Sequence, residues 1–174
     1  MLNIEIKAHT NQPDKIKSTL ENLNADYQGI DHQIDTYFIV PDGRLKLRQG
    51  NIENSLIFYQ RPNQAGPKAS NFLLYHPAKE SSDQLKKLLN TALGEKIVVD
   101  KQRAIYFLEN VKFHIDQVVG LGDFVEIEVM DKKETGDISM LEKQCKEYIN
   151  LFGIEEGDLI NGSYSDLLSN KIKS

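Results

Sequence analysis

The chain has 174 residues, a formal net charge of −5 at pH 7 and a sequence pI near 5.4. One hydrophobic core can serve a chain of this length, so we expect a single domain over residues 1–174. The acidic balance argues against a nucleic-acid-binding surface. No apolar run reaches the roughly 18 residues of a membrane span, and no signal-like segment opens the chain. With Cys145 as the single cysteine, these features predict a cytoplasmic protein with neither a disulfide nor a membrane partner.

Three amphipathic helices are predicted. The first begins near Pro13, the second follows Ser81 and ends at Gly94, and the third follows Ser139 and ends at Gly153. Apolar residues at helical spacing are expected to face the core: Ile16, Leu20 and Leu23 in the first helix, Leu85, Leu88, Leu89 and Leu93 in the second, and Leu141, Cys145, Ile149 and Phe152 in the third.

Most of the remaining chain has the composition and alternation of β-strands. Strands are predicted over residues 2–9, 33–40, 44–49, 54–61, 69–76, 96–100, 102–109, 111–118 and 124–130. Many strands joined by short turns indicate a large antiparallel sheet or barrel with helices outside it. The loop PNQAGPK, residues 62–68, has the composition of a mobile flap.

Several of these strands place charged side chains on one face. In NIEIK, Glu5 and Lys7 lie opposite Ile4 and Ile6. The same alternation aligns Arg44, Lys46 and Arg48; Lys101 and Arg103; Lys112, His114 and Asp116; and Glu126 and Glu128. For any one strand, the simplest interpretation is an outer face in water.

The helices change this interpretation, because their apolar faces need the apolar sides of the strands. The charged sides would then line the interior of the sheet. About eight antiparallel strands can close around one small ligand, and buried charges of both signs require partners or water. We therefore expect a wet tunnel for a polyphosphate with Mg²⁺ or Mn²⁺. Carboxylates would hold the cation, and basic residues, Lys46 among them, would hold phosphate.

A family resemblance supports this hypothesis. NIEIK resembles the ExExK signature of the CYTH superfamily, the triphosphate tunnel metalloenzymes, which includes class IV adenylyl cyclases and thiamine triphosphatases. The similarity continues through Asp35-Thr36-Tyr37 and LKLR, then through VDKQRAIYF, FHIDQVVGLGDFVEIEVM, NLFGI and SYSDLL. These last blocks are similar to class IV adenylyl cyclases in particular.

The resemblance implies an α+β fold, a closed eight-stranded antiparallel β-barrel with helices packed outside. It implies a divalent ion held by Glu5 and Glu126, with Glu128 as a further ligand, and an enzyme that can form homodimers. It also implies that Asp116 stands near the reacting end as a base or a partner of metal-bound water. The phosphates would be held by Lys7, Arg48, Lys101 and Arg103, with Lys101 also catalytic and His114 as a further phosphate contact.

Two positions depart from the family pattern. The leading glutamate of ExExK is Asn3, which removes a negative charge and makes one metal ion the safer expectation than two. The central-strand lysine of the family falls at Gln60, beside Arg61. Arg61 could substitute if a bulge turns it inward, and Lys68 in the flap could supply the missing charge.

Three functions remain open at this point. The leading one is conversion of ATP to 3′,5′-cyclic AMP and pyrophosphate. The second is a triphosphatase acting on inorganic, thiamine or nucleoside triphosphate. The third is a non-catalytic module that binds a nucleotide or polyphosphate, which Asn3 and Gln60 favour. A lipid-binding barrel fits poorly, because its strands should present apolar residues to the cavity.

Overall fold

A computed structural model describes residues 3–60, 71–132 and 136–173 of the chain. Its strands are β1 (Asn3–His9), β2 (Asp26–Phe38), β3 (Arg44–Gln49), β4 (Asn54–Gln60), β5 (Asn71–Tyr75), β6 (Glu95–Leu108), β7 (Val111–Val118) and β8 (Gly122–Met130). Its helices are α1 (Pro13–Asn22), α2 (Ser82–Leu93), α3 (Ile138–Leu151) and α4 (Tyr164–Lys173). None of the described helices combines the length and the apolar character that a membrane span requires.

The strands form one antiparallel sheet in the order β1-β8-β7-β6-β2-β3-β4-β5. The sheet curls into an open half-barrel, so the α+β class is confirmed and the prediction of a closed barrel is wrong. Within the described ranges, no ladder joins β1 to β5. The outer edge of β1 is instead occupied by another segment: Ala8 bridges to Leu159, and the Ile160 amide donates to the Lys7 carbonyl at 2.8 Å.

Two central strands are longer than the sequence indicates. β2 begins at Asp26 rather than at residue 33, and a register shift between Tyr27 and Gly29 bends it. β6 runs through Asp100 and Lys101, where two separate strands were predicted. The consecutive charged residues Asp100 and Lys101 have the composition of a turn. In the structure, Lys101 points inward and donates to Asp35, and the strand continues through both residues.

The convex face of the sheet carries the main apolar core. α1 contributes Ile16 and Leu20, and α3 contributes Leu141 and Cys145, all buried against the sheet. The strand residues in this core include Ile4, Ala8, Ala104, Tyr106, Val111, Phe113, Ile115, Val125, Ile127 and Val129. This arrangement confirms that α1 and α3 take the apolar side of the strands and that Cys145 is a core residue. α2, which was predicted to bury four leucines, has only Ser82 buried and adds no residue to the core. Leu23 and Leu88, which were expected to face the core, are exposed.

The helix starts differ in detail from the predictions. The Ser81 hydroxyl donates to the Ala78 carbonyl at 2.9 Å within a short 3₁₀ turn, so it does not cap α2. Asp137, rather than Ser139, caps α3 by accepting a hydrogen bond from the Met140 amide at 3.0 Å. The sequence analysis named SYSDLL as a motif but predicted no helix there, and α4 begins within it.

Candidate active site

The concave face of the half-barrel holds a cavity of about 630 Å³. All eight strands contribute lining residues, and Ser163 and Tyr164 line it from the start of α4. Most residues of the predicted charged faces line this cavity, although Arg44 and Asp116 do not. Glu5 and Lys7 both line it, so the interior interpretation of NIEIK is confirmed. The acidic and basic residues of the lining are Glu5, Lys7, Asp35, Lys46, Arg48, Glu53, His76, Lys101, Arg103, Lys112, His114, Glu126 and Glu128.

Asp35 on β2 is the centre of the basic part of the cavity. Its carboxylate accepts hydrogen bonds from Arg48 Nε and Nη2, both at 2.9 Å, from Lys101 Nζ at 2.9 Å and from Lys46 Nζ at 3.0 Å. Burial opposes ionisation of Asp35, but the charges of Arg48, Lys101 and Lys46 outweigh burial and hold its pKa well below the ordinary value. One carboxylate therefore orients three of the predicted phosphate ligands.

Lys101 is the most deeply buried of these cations. Its side chain is 1% exposed, and burial is the largest influence on its pKa, which falls to about 7. Asp35 opposes this shift, while Arg48, Arg103 and Lys46 add to it. Near neutral pH, Lys101 is therefore close to its titration midpoint, and an anionic ligand would favour its charged form.

A second ion-pair network centres on Arg103. Its guanidinium donates to both oxygens of Asp116, at 2.7 and 2.6 Å, and to Glu126 Oε2 at 2.9 Å. The Tyr164 hydroxyl donates to Asp116 Oδ2 at 2.7 Å. Burial opposes ionisation of Asp116, but Arg103 outweighs it and lowers its pKa. Asp116 thus lies behind Arg103 with both oxygens occupied, and its role as a base stays a prediction.

Glu126 connects this network to the open cavity. Besides Arg103, it contacts Lys7 Nζ at 3.0 Å and His114 Nδ1 at 3.0 Å. Burial lowers the pKa of His114 to about 4, with the positive charge of Arg103 adding to the effect, so this imidazole is neutral at pH 7. Lys7 Nζ also lies 3.9 Å from the centre of the Tyr164 ring, a distance suited to a cation–π contact.

The acidic end of the cavity lies on β1 and β8. Glu5 is directly opposite Glu128 in their ladder, and both line the cavity. Like charges at such positions repel, and carboxylate oxygens are the ligands that hard divalent cations prefer. The side chains present therefore fit a divalent metal. Among the described residues, no three His, Cys, Asp or Glu side chains lie close enough together to bind one metal ion. The Asn3 side-chain amide donates a hydrogen bond to Glu128.

Glu53 lies in the turn between β3 and β4 and reaches across the cavity. It accepts from Arg48 Nη1 at 2.8 Å and from Lys112 Nζ at 2.9 Å. Burial opposes its ionisation, but Arg48 and Lys112 outweigh burial and lower its pKa. The Glu53 carboxylate thus links β3 to β7 across β2 and β6, the two strands that separate them.

The cavity wall on β4 and β5 is less polar. Ile57 and Leu74 are direct ladder partners and both face the cavity, with Tyr59 and Ile52 nearby in the lining. His76 also lines the cavity. The site therefore combines an ionic floor with an apolar and aromatic wall.

The structure brings together most of the predicted site residues. Lys7, Lys46, Arg48, Lys101, Arg103, His114, Glu5, Glu126 and Glu128 all line one cavity. Arg61, Lys68 and the loop 62–68 lie outside the described residues. Gln60 is exposed and donates to Asp42 at 2.6 Å, outside the cavity lining.

Sequence analysis assigned no function to Asp35, Glu53, Lys112 or Tyr164. Alternation placed Lys112 on a charged face with His114 and Asp116, but it gave no reason to assign Lys112 a separate role. Glu53 lies in a turn, where strand alternation does not predict which way a side chain points. Asp35 and Tyr164 were noted only as parts of matching blocks, and their contacts depend on the register between distant strands.

Comparison with solved structures shows the same fold in several proteins. The PH1012 protein of Pyrococcus horikoshii OT3 is 26% identical with a TM-score of 0.73, over 95% of this chain and 99% of that one. A candidate adenylate cyclase from Vibrio parahaemolyticus is 18% identical with a TM-score of 0.72, over 97% and 98% of the two chains. HpAC1 from Hippeastrum, a candidate adenylyl cyclase described as having a dominant triphosphatase activity, is 11% identical with a TM-score of 0.64, over 99% and 95%.

The last two likenesses establish the fold alone, given their low identity. No curated protein sequence matches the chain. The family assignment comes from the CYTH domain, whose sequence profile matches residues 1–164. The chain therefore belongs to the CYTH-domain family, whose members act on triphosphates and use divalent metal ions.

Proposed function

We propose that this chain is a class IV adenylyl cyclase, which converts ATP to 3′,5′-cyclic AMP and pyrophosphate with Mg²⁺ or Mn²⁺. The observation that carries the proposal is the division of one cavity into an ionic floor and an apolar wall on β4 and β5. A ligand that matches both parts has a polyphosphate chain and an apolar, aromatic group, as ATP does.

The triphosphate would lie along the basic residues of β3 and β6. Arg48 and Arg103 offer forked hydrogen-bond donors that suit phosphate oxygens, and both are already oriented by carboxylates, Arg48 by Asp35 and Arg103 by Asp116. Orientation before binding reduces the entropy lost when phosphate is bound. Lys101 adds a buried charge close to both arginines.

The nucleoside would lie against the apolar wall. Ile57 and Leu74 form a continuous apolar surface across β4 and β5, and the half-barrel is open rather than closed. An open cavity leaves room for a base and ribose beside the phosphates, which inorganic triphosphate does not need. Cyclisation requires the ribose 3′-hydroxyl to approach the α-phosphate, so room for a folded nucleotide is essential.

Glu5, Glu126 and Glu128 would hold the metal ion. When bound, the ion would neutralise phosphate charge and lower the pKa of the attacking hydroxyl. The chain's own residues hold the phosphates, and Arg103 stabilises charge that develops on them. Because Glu126 also binds Lys7 and Arg103, it would couple the metal end of the site to the phosphate end.

A triphosphatase is the second candidate, and the position of Asp116 favours it. Both Asp116 oxygens accept hydrogen bonds from Arg103 or Tyr164, so this carboxylate does not offer a lone base to a ribose hydroxyl in the cavity. Hydrolysis needs only a water molecule in line with the terminal phosphate. Inorganic, thiamine or nucleoside triphosphate could then be the substrate.

Product identity tests the proposal. The protein would be incubated with ATP, inorganic triphosphate and thiamine triphosphate, each with Mg²⁺ or Mn²⁺, and all products identified. Cyclic AMP with equimolar pyrophosphate supports the cyclase, and orthophosphate with ADP, or rapid cleavage of inorganic triphosphate, supports the triphosphatase. Lys101→Met should abolish the activity, whereas Lys15→Met, on the exposed surface of α1, should not.

The remaining parts of the proposal concern partners and location. ATP or another triphosphate is the proposed ligand, with no nucleic-acid or membrane partner, and we propose a cytoplasmic enzyme that can form homodimers. If ATP binds with metal-dependent affinity and no product forms, the non-catalytic binding module replaces both enzymes. In that case Asn3→Glu together with Gln60→Lys should recover some turnover.

A further inference from the structure

Glu53 forms an ionic bridge across the open cavity. Its Oε2 accepts from Arg48 Nη1 at 2.8 Å and from Gln33 Nε2 at 3.1 Å, and its Oε1 accepts from Lys112 Nζ at 2.9 Å. Arg48 is on β3 and Lys112 is on β7, and the sheet order places β2 and β6 between these strands. The bridge therefore passes over β2 and over β6, the strand that carries Lys101 and Arg103.

The backbone of Glu53 is held by a buried carboxylate below it. Asp31 accepts hydrogen bonds from the Ile52 amide at 2.8 Å and the Glu53 amide at 3.0 Å. Gly50 completes the turn, since a Cβ there would lie 2.6 Å from Asp31 Oδ1 and 2.5 Å from the Glu53 carbonyl oxygen. The turn is thus fixed, and only the Glu53 side chain has freedom to change its contacts.

Arg48 is bound by two carboxylates of different accessibility. Asp35 takes Nε and Nη2 and is 1% exposed, whereas Glu53 takes Nη1 and is 26% exposed. Phosphate oxygens and carboxylate oxygens suit the same guanidinium donors. A ligand that approaches from the cavity can therefore replace Glu53 on Arg48 and Lys112 without disturbing Asp35.

We propose that Glu53 is an internal anion that occupies a phosphate position and is displaced by a phosphoryl group of the ligand. This inference rests on the proposed binding of a polyphosphate in the cavity. Its consequence is selectivity: a phosphate chain must be long enough to engage Arg48 and Lys112 together while it also reaches Lys101 and Arg103. Short anions would not compensate for the separation of Glu53 from its two cationic partners.

Glu53→Gln tests this inference, because it keeps the size of the side chain and removes the competing charge. Isothermal titration calorimetry with inorganic tripolyphosphate, with and without Mg²⁺, should show binding on the order of tenfold tighter than in the parent protein. Glu95→Gln removes an equal charge from an exposed position at the start of β6 and should leave the affinity unchanged. Glu53→Asp, with a shorter side chain, should also tighten binding and provides a second variant.

A double-mutant cycle distinguishes displacement from a simple change in the cavity potential. Lys112→Met should weaken tripolyphosphate binding, and in that background Glu53→Gln should give a smaller gain, because one of the two cationic partners of Glu53 is gone. If the parent protein binds tripolyphosphate and Glu53→Gln binds it with equal or lower affinity, the inference about Glu53 is overturned. The proposed function is not affected by that result. Weakening only in the presence of Mg²⁺ would make Glu53 a metal ligand instead, and absence of binding by the parent protein overturns the proposed function itself.

Discussion

At the scale of single residues, Asp35 holds three of the cations that line the cavity. It is buried and accepts hydrogen bonds from Lys46, Arg48 and Lys101. Removing one partner of a buried ion pair leaves an uncompensated charge, which costs far more than loss of an exposed pair. Asp35 therefore contributes to stability as well as to the orientation of the proposed phosphate ligands.

Asp35→Asn should lower the free energy of unfolding by roughly 3 kcal/mol, because three cations lose their shared negative partner. Urea denaturation at pH 7 measures the change. Asp14→Asn, on the exposed surface of α1, should cost less than about 1 kcal/mol. Equal losses in the two variants would show that the Asp35 network adds no net stability.

Lys101 predicts proton uptake on ligand binding. Its pKa of about 7 lies below the ordinary value of 10.5, so it is largely neutral at pH 8 in the folded protein. Between these values the unfolded chain binds more protons, so Lys101 makes stability rise with pH across this window. Bound tripolyphosphate would raise the pKa of Lys101 and restore its proton.

Calorimetry at pH 8 in buffers of different ionisation enthalpy should therefore show net proton uptake with tripolyphosphate in the parent protein. Lys101→Met should remove most of this uptake, whereas Lys15→Met should retain it. The affinity for tripolyphosphate should depend on pH for the same reason. The contribution of Lys101 to this affinity declines as pH rises above about 7, because Lys101 loses its charge. Identical uptake in Lys101→Met would place the titrating group elsewhere.

At the scale of elements, α4 is joined to the site through Tyr164. This residue is buried, packs edge-on against Phe124 with ring centres 4.9 Å apart, and donates to Asp116. Tyr164→Phe removes only the hydroxyl and should destabilise the protein by about 1 kcal/mol. Tyr164→Ala also removes the aromatic packing and should cost about 3–5 kcal/mol. Chemical denaturation of both variants separates the two contributions, and equal losses would contradict this division.

The pair formed by β1 and β8 predicts a metal response. Glu5→Gln removes one of two opposed carboxylates, so the rise in Tm on addition of Mn²⁺ should be largely lost. Glu95→Gln serves as the charge-matched control and should keep the full rise. A full Mn²⁺ response in Glu5→Gln would exclude Glu5 as a ligand.

The elements themselves were largely predictable, and their limits show where local pattern fails. Alternation in RLKLR and DFVEIEV gave strands and charged faces that the structure confirms. The same rule divided β6 at Lys101, because a single sequence does not show that Asp35 lies opposite to pair with the lysine. The sequence also did not show that the barrel is open. Residues 159–160 occupy the edge of β1 through a tertiary contact, which local pattern does not predict.

At the scale of the whole molecule, the two ends of the sheet are unequal. β1 is covered by Leu159 and Ile160, whereas β5 at the other end has exposed Leu73 and Tyr75. Hydrogen exchange should therefore be fastest in β5, slower in β1 and slowest in β6 and β7, which have strands on both sides. Mass spectrometry of peptide fragments measures this order. Equal protection of β1 and β5 would show that the cover on β1 opens readily.

The pairing of β1 with β8 also has a consequence for biosynthesis. Asn3 is matched with Met130, so β1 has no partner strand until residues 122–130 have been made. At ordinary rates of translation this interval is on the order of ten seconds. During that time Ile4, Ile6 and Ala8 have no β8 beside them. Of these eight strands, β1 is thus synthesised before the other seven but is among the last to reach its final position.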